Sequence, residues 1–405
     1  MTLDGDALAR DIAALVQVPS VTGDERAALE RLGELADALG LEAQLHRHDL
    51  EALRAHPDHP GEEAPRSELW GLSVTVPGAG GGGDRPRLAL DGHVDVVPPG
   101  TVAWRHGPWS GETADGCVWG RGAVDMKAGV VAALHALAAV GPSAPCEAVL
   151  LAVAAEEDGG LGTFAALERD AAFDACLIPE PVGFDVVCAH AGALTFEGVV
   201  HGVSAHAALR LEGVSAIDRY LPIHAALAEH ERRVNSDVEH PLMRELELPY
   251  PLVVGRLEAG EWSSSVPDRL RFEGRVGVRV GESPADARAS VEAVIAAAAG
   301  DDVELRWTGG QFASGQTPSD HPFTTLVRDS VSAETGRDAR LAGISAGTDM
   351  RLWCARGIPC VMTGTPGIGL AHAIDERVRV DDALTVARTI ARVIDGFHGE
   401  VTATR

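Results

Sequence analysis

Residues 148–157 read Ala148-Val149-Leu150-Leu151-Ala152-Val153-Ala154-Ala155-Glu156-Glu157, an unbroken apolar run ending in two carboxylates. A run of that length without polar alternation predicts a strand over 148–154, buried on both faces inside a sheet that helices cover. The paired glutamates then fall just past its carboxyl end, where open α/β sheets place their ligands.

The same juxtaposition recurs on either side of this stretch. Strands predicted at 70–76 and 87–90 lead to His93 and Asp95, a strand at 175–178 leads to Glu180, and one at 358–363 leads to the loop carrying His372. A helix over 126–140 begins at Asp125, whose anionic side chain suits a helix amino end. Apolar spacing across 5–40, broken at Val18-Pro19-Ser20, predicts two amino-terminal helices. Helices over 321–335, near Met350 and over 381–397 complete an α/β pattern with a largely parallel sheet.

Between 190 and 308 the texture changes: strand 194–200, helix 216–234, strands near 252–257 and 270–280, helix 284–299, strand 303–307. That β-α-β-β-α-β order is a self-contained split βαβ module. The chain of 405 residues is long enough for two cores. The expected domains are a discontinuous α/β domain, 1–189 and 309–405, interrupted by the smaller module at 190–308.

The polar stretch 46–67, with histidines at 46, 48, 56 and 59, shows neither period and reads as a long exposed excursion. The glycine-rich 78–84 reads as a flexible connection, without the Gly-Lys-Ser/Thr ending of a phosphate loop. No apolar run is expected to reach a membrane span of ~18 residues, and the acidic first residues do not resemble a signal peptide. Six scattered cysteines read as reduced thiols, so a cytoplasmic location is expected. A formal charge of -26 opposes binding to nucleic acid or anionic lipid.

Taken singly, a carboxylate at a strand end is usually a cap and a lone histidine is usually packed. Five such groups at one sheet edge, His93, Asp125, Glu157, Glu180 and His372, would repel and suffer desolvation unless cations neutralise them. Two imidazoles with three carboxylates suit zinc, cobalt or manganese. Asp125 is the candidate to bridge two ions at ~3.5–4 Å.

The stretches Gly92-His93-Val94-Asp95, Gly120-Arg121-Gly122-Ala123-Val124-Asp125-Met126-Lys127, Glu156-Glu157-Asp158-Gly159-Gly160, Pro179-Glu180-Pro181 and Gly202-Val203-Ser204-Ala205-His206 closely resemble the M20 metallopeptidase family. That family includes acetylornithine deacetylases, succinyl-diaminopimelate desuccinylases and aminoacylases, and the resemblance covers nearly the whole chain in order. It implies a three-layer αβα zinc-peptidase-like catalytic domain with an inserted ferredoxin-like lid that dimerises. It further implies that His93, Asp125 and Glu180 bind one metal and Asp125, Glu157 and His372 the other, zinc or cobalt first and manganese next. Asp95 would orient His93, and Glu156 would act as general base to metal-bound water attacking an amide carbonyl. His206 would stabilise the oxyanion from the lid, in its own or the partner subunit.

The same resemblance makes Gly347, Thr348 and Arg351 a substrate loop, with Arg351 pairing either a substrate carboxylate or an internal one. Ser263-Ser264-Ser265-Val266-Pro267 stands where many relatives carry an asparagine, and Gly277 where an arginine is often found. Arg275 and Arg279 are the candidate substitutes. The implied activity is removal of an acetyl, succinyl or formyl group from an amino-acid-like amine, in the manner of acetylornithine deacetylase. A dipeptidase or carboxypeptidase is the alternative.

Two other classes compete. Gly343-Ile344-Ser345-Ala346-Gly347 matches the G-x-S-x-G elbow of serine hydrolases, but that reading leaves the five strand-end ligands unexplained. A catalytically dead binding protein would have lost a ligand or the base, and here all six positions are filled.

Overall fold

A computed structural model of the chain describes residues 3–77, 85–299 and 302–399, so the expected connection at 78–84 lies outside the described residues. The chain divides into two compact units: residues 1–188, 316–342 and 349–405 form one, and 189–315 with 343–348 the other.

In the first unit the sheet is built around Glu147–Val153, in which every residue after the first is buried. This strand pairs in parallel with Arg87–His93, which pairs in parallel with Ala175–Ile178, which pairs in parallel with Cys360–Met362. On the other side of Glu147–Val153 lie Trp70–Thr75 and then Glu42–Arg47, both antiparallel to their neighbours. Side chains buried on both faces require cover on both, and the unit has the three-layer αβα arrangement.

Helix Ala128–Val140 supplies much of that cover, with ten consecutive buried residues from Ala128 to Leu137. It packs against helix Val380–Gly396, whose buried Ala383, Val386, Ala387, Ile390, Val393 and Ile394 recur at helical spacing. By length and hydropathy the segment Ala123–Ser143 passes the test for a membrane span, against the expectation that no run does, but 78% of it is buried in this core. Asp125 and Met126 also break the helical conformation near its start.

The stretch 46–67 is only in part the exposed excursion expected, its exposed residues alternating with structured and buried ones. It contains the end of strand Glu42–Arg47 and helix Leu50–Arg54, capped by Asp49, and it finishes on the buried Arg66. Arg66 forms its ion pairs inside the protein, which composition alone does not distinguish from solvation.

The second unit is an antiparallel four-stranded sheet in the order Leu252–Ala259, Arg269–Val278, Gly192–His201, Val303–Phe312. With helices Ala216–Ser236 and Pro284–Ala299 it forms a ferredoxin-like α+β module. Its core is a separate cluster around Phe196, Tyr220, Phe272 and Val291. A small antiparallel ladder pairs Ala205–His206 with Ser265–Val266.

Candidate metal centre

The parallel strands deliver their functional groups at one end. His93 is the last residue of its strand and is 2% exposed. Its Nε2 lies 3.3 Å from Asp125 Oδ1 and 3.7 Å from Glu180 Oε1. His372 Nε2 lies 3.5 Å from Asp125 Oδ2 and 3.1 Å from Glu157 Oε2. The ligand atoms therefore fall into two groups, His93-Asp125-Glu180 and Asp125-Glu157-His372, each within 4.8 Å, sharing Asp125 through different oxygens. Donors bound at ~2.1 Å around a tetrahedral ion stand roughly 3.4 Å apart, so these separations fit two divalent cations.

The charges make the same demand. Burial pushes Glu180 up to about 8, only partly offset by His93 and reinforced by Asp125 and Glu157. Burial likewise raises Glu157, against its hydrogen bond with His372, and Glu157 Oε1 has no hydrogen-bond partner. Hydrogen bonds to Asp125 and Glu157 raise His372 to about 10. His93 is raised well above the imidazole range because Asp125 and Glu180 outweigh its burial. Each shift recruits positive charge to the cluster, and divalent cations with these donors would supply it.

Glu156 belongs to neither ligand group. Burial drives its pKa well above the carboxylate range, with His93 opposing and Asp349, Glu180 and Glu157 adding to the rise. A carboxyl beside the ligands but in neither group is placed for proton transfer.

Several residues hold the ligands in place. His93 Nδ1 contacts the backbone carbonyl of Asp95 at 2.9 Å, while the Asp95 carboxylate stands farther off at 3.6 Å. That carboxylate instead accepts from the Glu156 and Glu157 amides, both at 3.2 Å, and from Thr22 Oγ1 at 3.1 Å. Asp125 does not open a regular helix, as its sequence position suggests. It sits at a cis peptide bond with Met126, and Glu376 accepts from the Val124 and Asp125 amides. Arg121 joins this support, donating to Glu376 at 2.6 Å and to the His372 carbonyl at 3.2 Å.

Two glycines press on the Pro179-Glu180 turn: a Cβ on Gly129 would stand 2.2 Å from the Pro179 carbonyl oxygen, and one on Gly364 would stand 2.1 Å from that of Glu180. Ala155 and His372 adopt left-handed backbone, at φ of 66° and 61°. For non-glycine residues this conformation costs roughly 1–2 kcal/mol each, and it turns both ligand-bearing segments sharply.

The remaining expected site residues belong to neither ligand group. Arg351 is buried, donates to the Gly159 carbonyl at 2.6 Å and stands 3.6 Å from Asp349, which is the internal pairing of the two weighed. Thr348 is buried in the second unit, where a Cβ on Gly347 would meet the Phe312 side chain at 2.6 Å. Arg279 donates to the Val234 carbonyl at the end of a helix, and Arg275 is exposed on its strand. Gly277 lies against Tyr250 and Pro251, where a side chain would meet backbone at 2.8 Å. His206 is exposed on the second unit, its Nδ1 accepting from the Ala208 amide. Ser345 is also exposed, and its φ is outside the left-handed region that a strained nucleophile turn would use.

Sequence reasoning overlooked the polar layer behind the centre. Asp91 accepts from Trp353 Nε1 at 2.7 Å and Thr163 Oγ1 at 3.1 Å, and the same hydroxyl lies 2.7 Å from Asp349 Oδ2. The carboxylate directly after the apolar Leu88-Ala89-Leu90 was the available signal.

A three-layer αβα fold carrying two carboxylate-and-imidazole ligand groups with a shared aspartate defines a metallohydrolase, and this one acts on amide bonds. The chain belongs to peptidase family M20/M25/M40, whose model matches residues 89–396. It is 32% identical over 409 residues to a succinyl-diaminopimelate desuccinylase of Paracoccus denitrificans, covering 95% of this chain and 97% of that one. Its fold is similar to an M20 family metallo-carboxypeptidase of Sulfolobus solfataricus, with a TM-score of 0.75 at 16% identity and coverage of 98% and 99%. It is also similar to a Bacillus subtilis protein described as a dinuclear metal-binding peptidase of the M20 family, with a TM-score of 0.66, 18% identity and coverage of 96% and 97%. Family membership removes the serine-hydrolase reading of Ser345.

Proposed function

We propose that the chain hydrolyses the amide of a small N-acylated amino acid, an N-succinyl compound before N-acetyl or N-formyl ones, with His93, Asp125, Glu157, Glu180 and His372 as metal ligands. The observation that carries this reading is the pair of ligand groups joined at Asp125, with Glu156 half-buried and outside both. Similarity to succinyl-diaminopimelate desuccinylases along nearly the whole chain supports the acyl group proposed.

Two divalent cations bound there, zinc or cobalt, supply Lewis acidity toward water and the amide carbonyl. Glu156, outside both ligand groups, is the carboxylate that takes the proton released as water attacks and passes it to the departing amine. Asp95, through the amides of Glu156 and Glu157, keeps the base and its neighbouring ligand in register. The module at 190–308 is assigned as a lid through which two copies pair in the cytoplasm, with His206 supplying charge to the oxyanion.

Metal-reconstituted protein assayed against N-succinyl, N-acetyl, N-formyl and dipeptide substrates tests the proposal. Highest kcat/KM on an N-succinyl amino acid is expected. Preference for dipeptides would replace the deacylase with a peptidase, and no hydrolysis of any of them would end the proposal.

A further inference from the structure

Glu156 and Glu157 occupy a turn whose backbone is held by Asp95. The next residue, Asp158, is 5% exposed, and its hydrogen bonds come from the segment 63–66. The Glu63 and Ala64 amides donate to its Oδ2 at 3.0 and 2.8 Å, and Arg66 Nη2 donates to Oδ1 and Oδ2 at 2.8 and 2.7 Å. The Arg66 side chain is fully enclosed and also faces Glu62 at 3.4 Å and Glu25 at 3.5 Å. Its Nε and Nη1 make no hydrogen bond, so its directional bonding is concentrated on Asp158.

The network continues outward. Glu62 accepts from Arg54 Nε at 2.5 Å, at the end of helix Leu50–Arg54, and Arg54 Nη2 donates to the Arg66 carbonyl at 3.2 Å. An ion-pair chain therefore runs from a surface helix to the residue adjoining Glu157. Buried ion clusters add little stability over apolar packing of equal volume, so stability alone is a weak reason for this one. What a guanidinium held against a carboxylate does provide is orientation.

We propose that Arg66 is a positioning residue for the Glu156-Glu157 turn. By fixing Asp158 it sets, one peptide bond away, the Glu157 carboxylate that stands 3.1 Å from His372 Nε2. Asp95 and Arg66 thus hold the turn from its backbone and from its far end. The inference rests on the reading of Glu157 as a metal ligand and Glu156 as the base.

The test compares Arg66→Met, Arg66→Lys, Asp158→Asn and the double variant Arg66→Met/Asp158→Asn in the full chain. Zinc affinity of the metal-stripped protein is measured by chelator competition with zinc chloride, alongside kcat, KM and thermal melting. Partners that orient metal ligands typically account for a 10–100-fold change, so Arg66→Met should weaken zinc binding by about that factor and lower kcat with KM unchanged. Arg66→Lys should recover part of both, and the double variant should be no worse than the worse single one. If Arg66→Met fails to fold, Asp158→Asn, which leaves Arg66 facing Glu25 and Glu62, carries the same expectation. Folded variants with zinc affinity and kcat within twofold of wild type would overturn the proposal, as would losses that simply add. A wild-type protein that binds two zinc ions but cleaves no N-acyl substrate would sink the functional reading alone, and the zinc titration would still decide the role of Arg66.

Discussion

Replacing Glu376 by alanine removes the group that ties the Asp125 turn to the loop of His372. Glu376 is fully buried and accepts from Arg121 Nη1 and from the Val124 and Asp125 amides. Its loss strands Arg121, itself 2% exposed and already lacking a partner at Nε. Breaking a buried pair from one side costs about 3–5 kcal/mol, and each orphaned amide about 1–3 kcal/mol unless water enters. With water rehydrating both amides the loss stays at about 4 kcal/mol, a large share of the roughly 5–15 kcal/mol that stabilises a folded protein. At roughly 1–2 °C per kcal/mol for a chain this long, the melting point of metal-stripped Glu376→Ala should fall by about 5 °C. Glu376→Gln keeps an acceptor for the amides and should fall less. Zinc affinity should drop by about 10–100-fold, because Asp125 and His372 both lose a support. Scanning calorimetry and chelator competition read these quantities. An alanine variant melting within 2 °C of wild type with unchanged zinc affinity would refute the role given to Glu376.

Other outcomes follow from the same geometry. Glu156→Ala should retain both metals by atomic absorption while turnover falls by about 10²–10⁴; activity equal to wild type would remove the base. His93→Ala should lose metal as well as activity, and full metal occupancy in that variant would remove His93 from the ligands. Gly129→Ala places a methyl 2.2 Å from the Pro179 carbonyl oxygen, so it should destabilise by about 1–3 kcal/mol in urea titration and loosen zinc binding through Glu180. Chelation of the wild type should abolish hydrolysis and lower the melting point, both reversed by added zinc, since a ligand bound only by the folded state stabilises it. An unchanged melting point would mean that the ligands do not bind the ions.

Much of this was legible in the sequence because strands state their burial in their composition. The apolar run before Glu156 and Glu157 could be only a buried strand or a buried helix segment, and its length and turn-rich flanks favoured a strand. Once the strands were placed, their carboxyl ends gathered His93, Glu157 and Glu180, which the structure brings together with Asp125 and His372. Contacts between residues distant in sequence left no such mark. Asp125 was read as the start of a helix because nothing local announces Glu376, 251 positions later, as the acceptor for its amide. Arg66 looked like part of a solvated loop because ion pairing and solvation draw on the same residues. Gly129 and Gly364 were unremarked because a close approach between segments appears only when both are in place.

Anomalous diffraction at the zinc edge from zinc-loaded crystals tests the central claim most directly. Two peaks about 3.5–4 Å apart should appear, with the Asp125 carboxylate between them, His93 and Glu180 on one, His372 and Glu157 on the other, and Glu156 bound to neither. A single peak, peaks away from these side chains, or Glu156 directly coordinating an ion would contradict it.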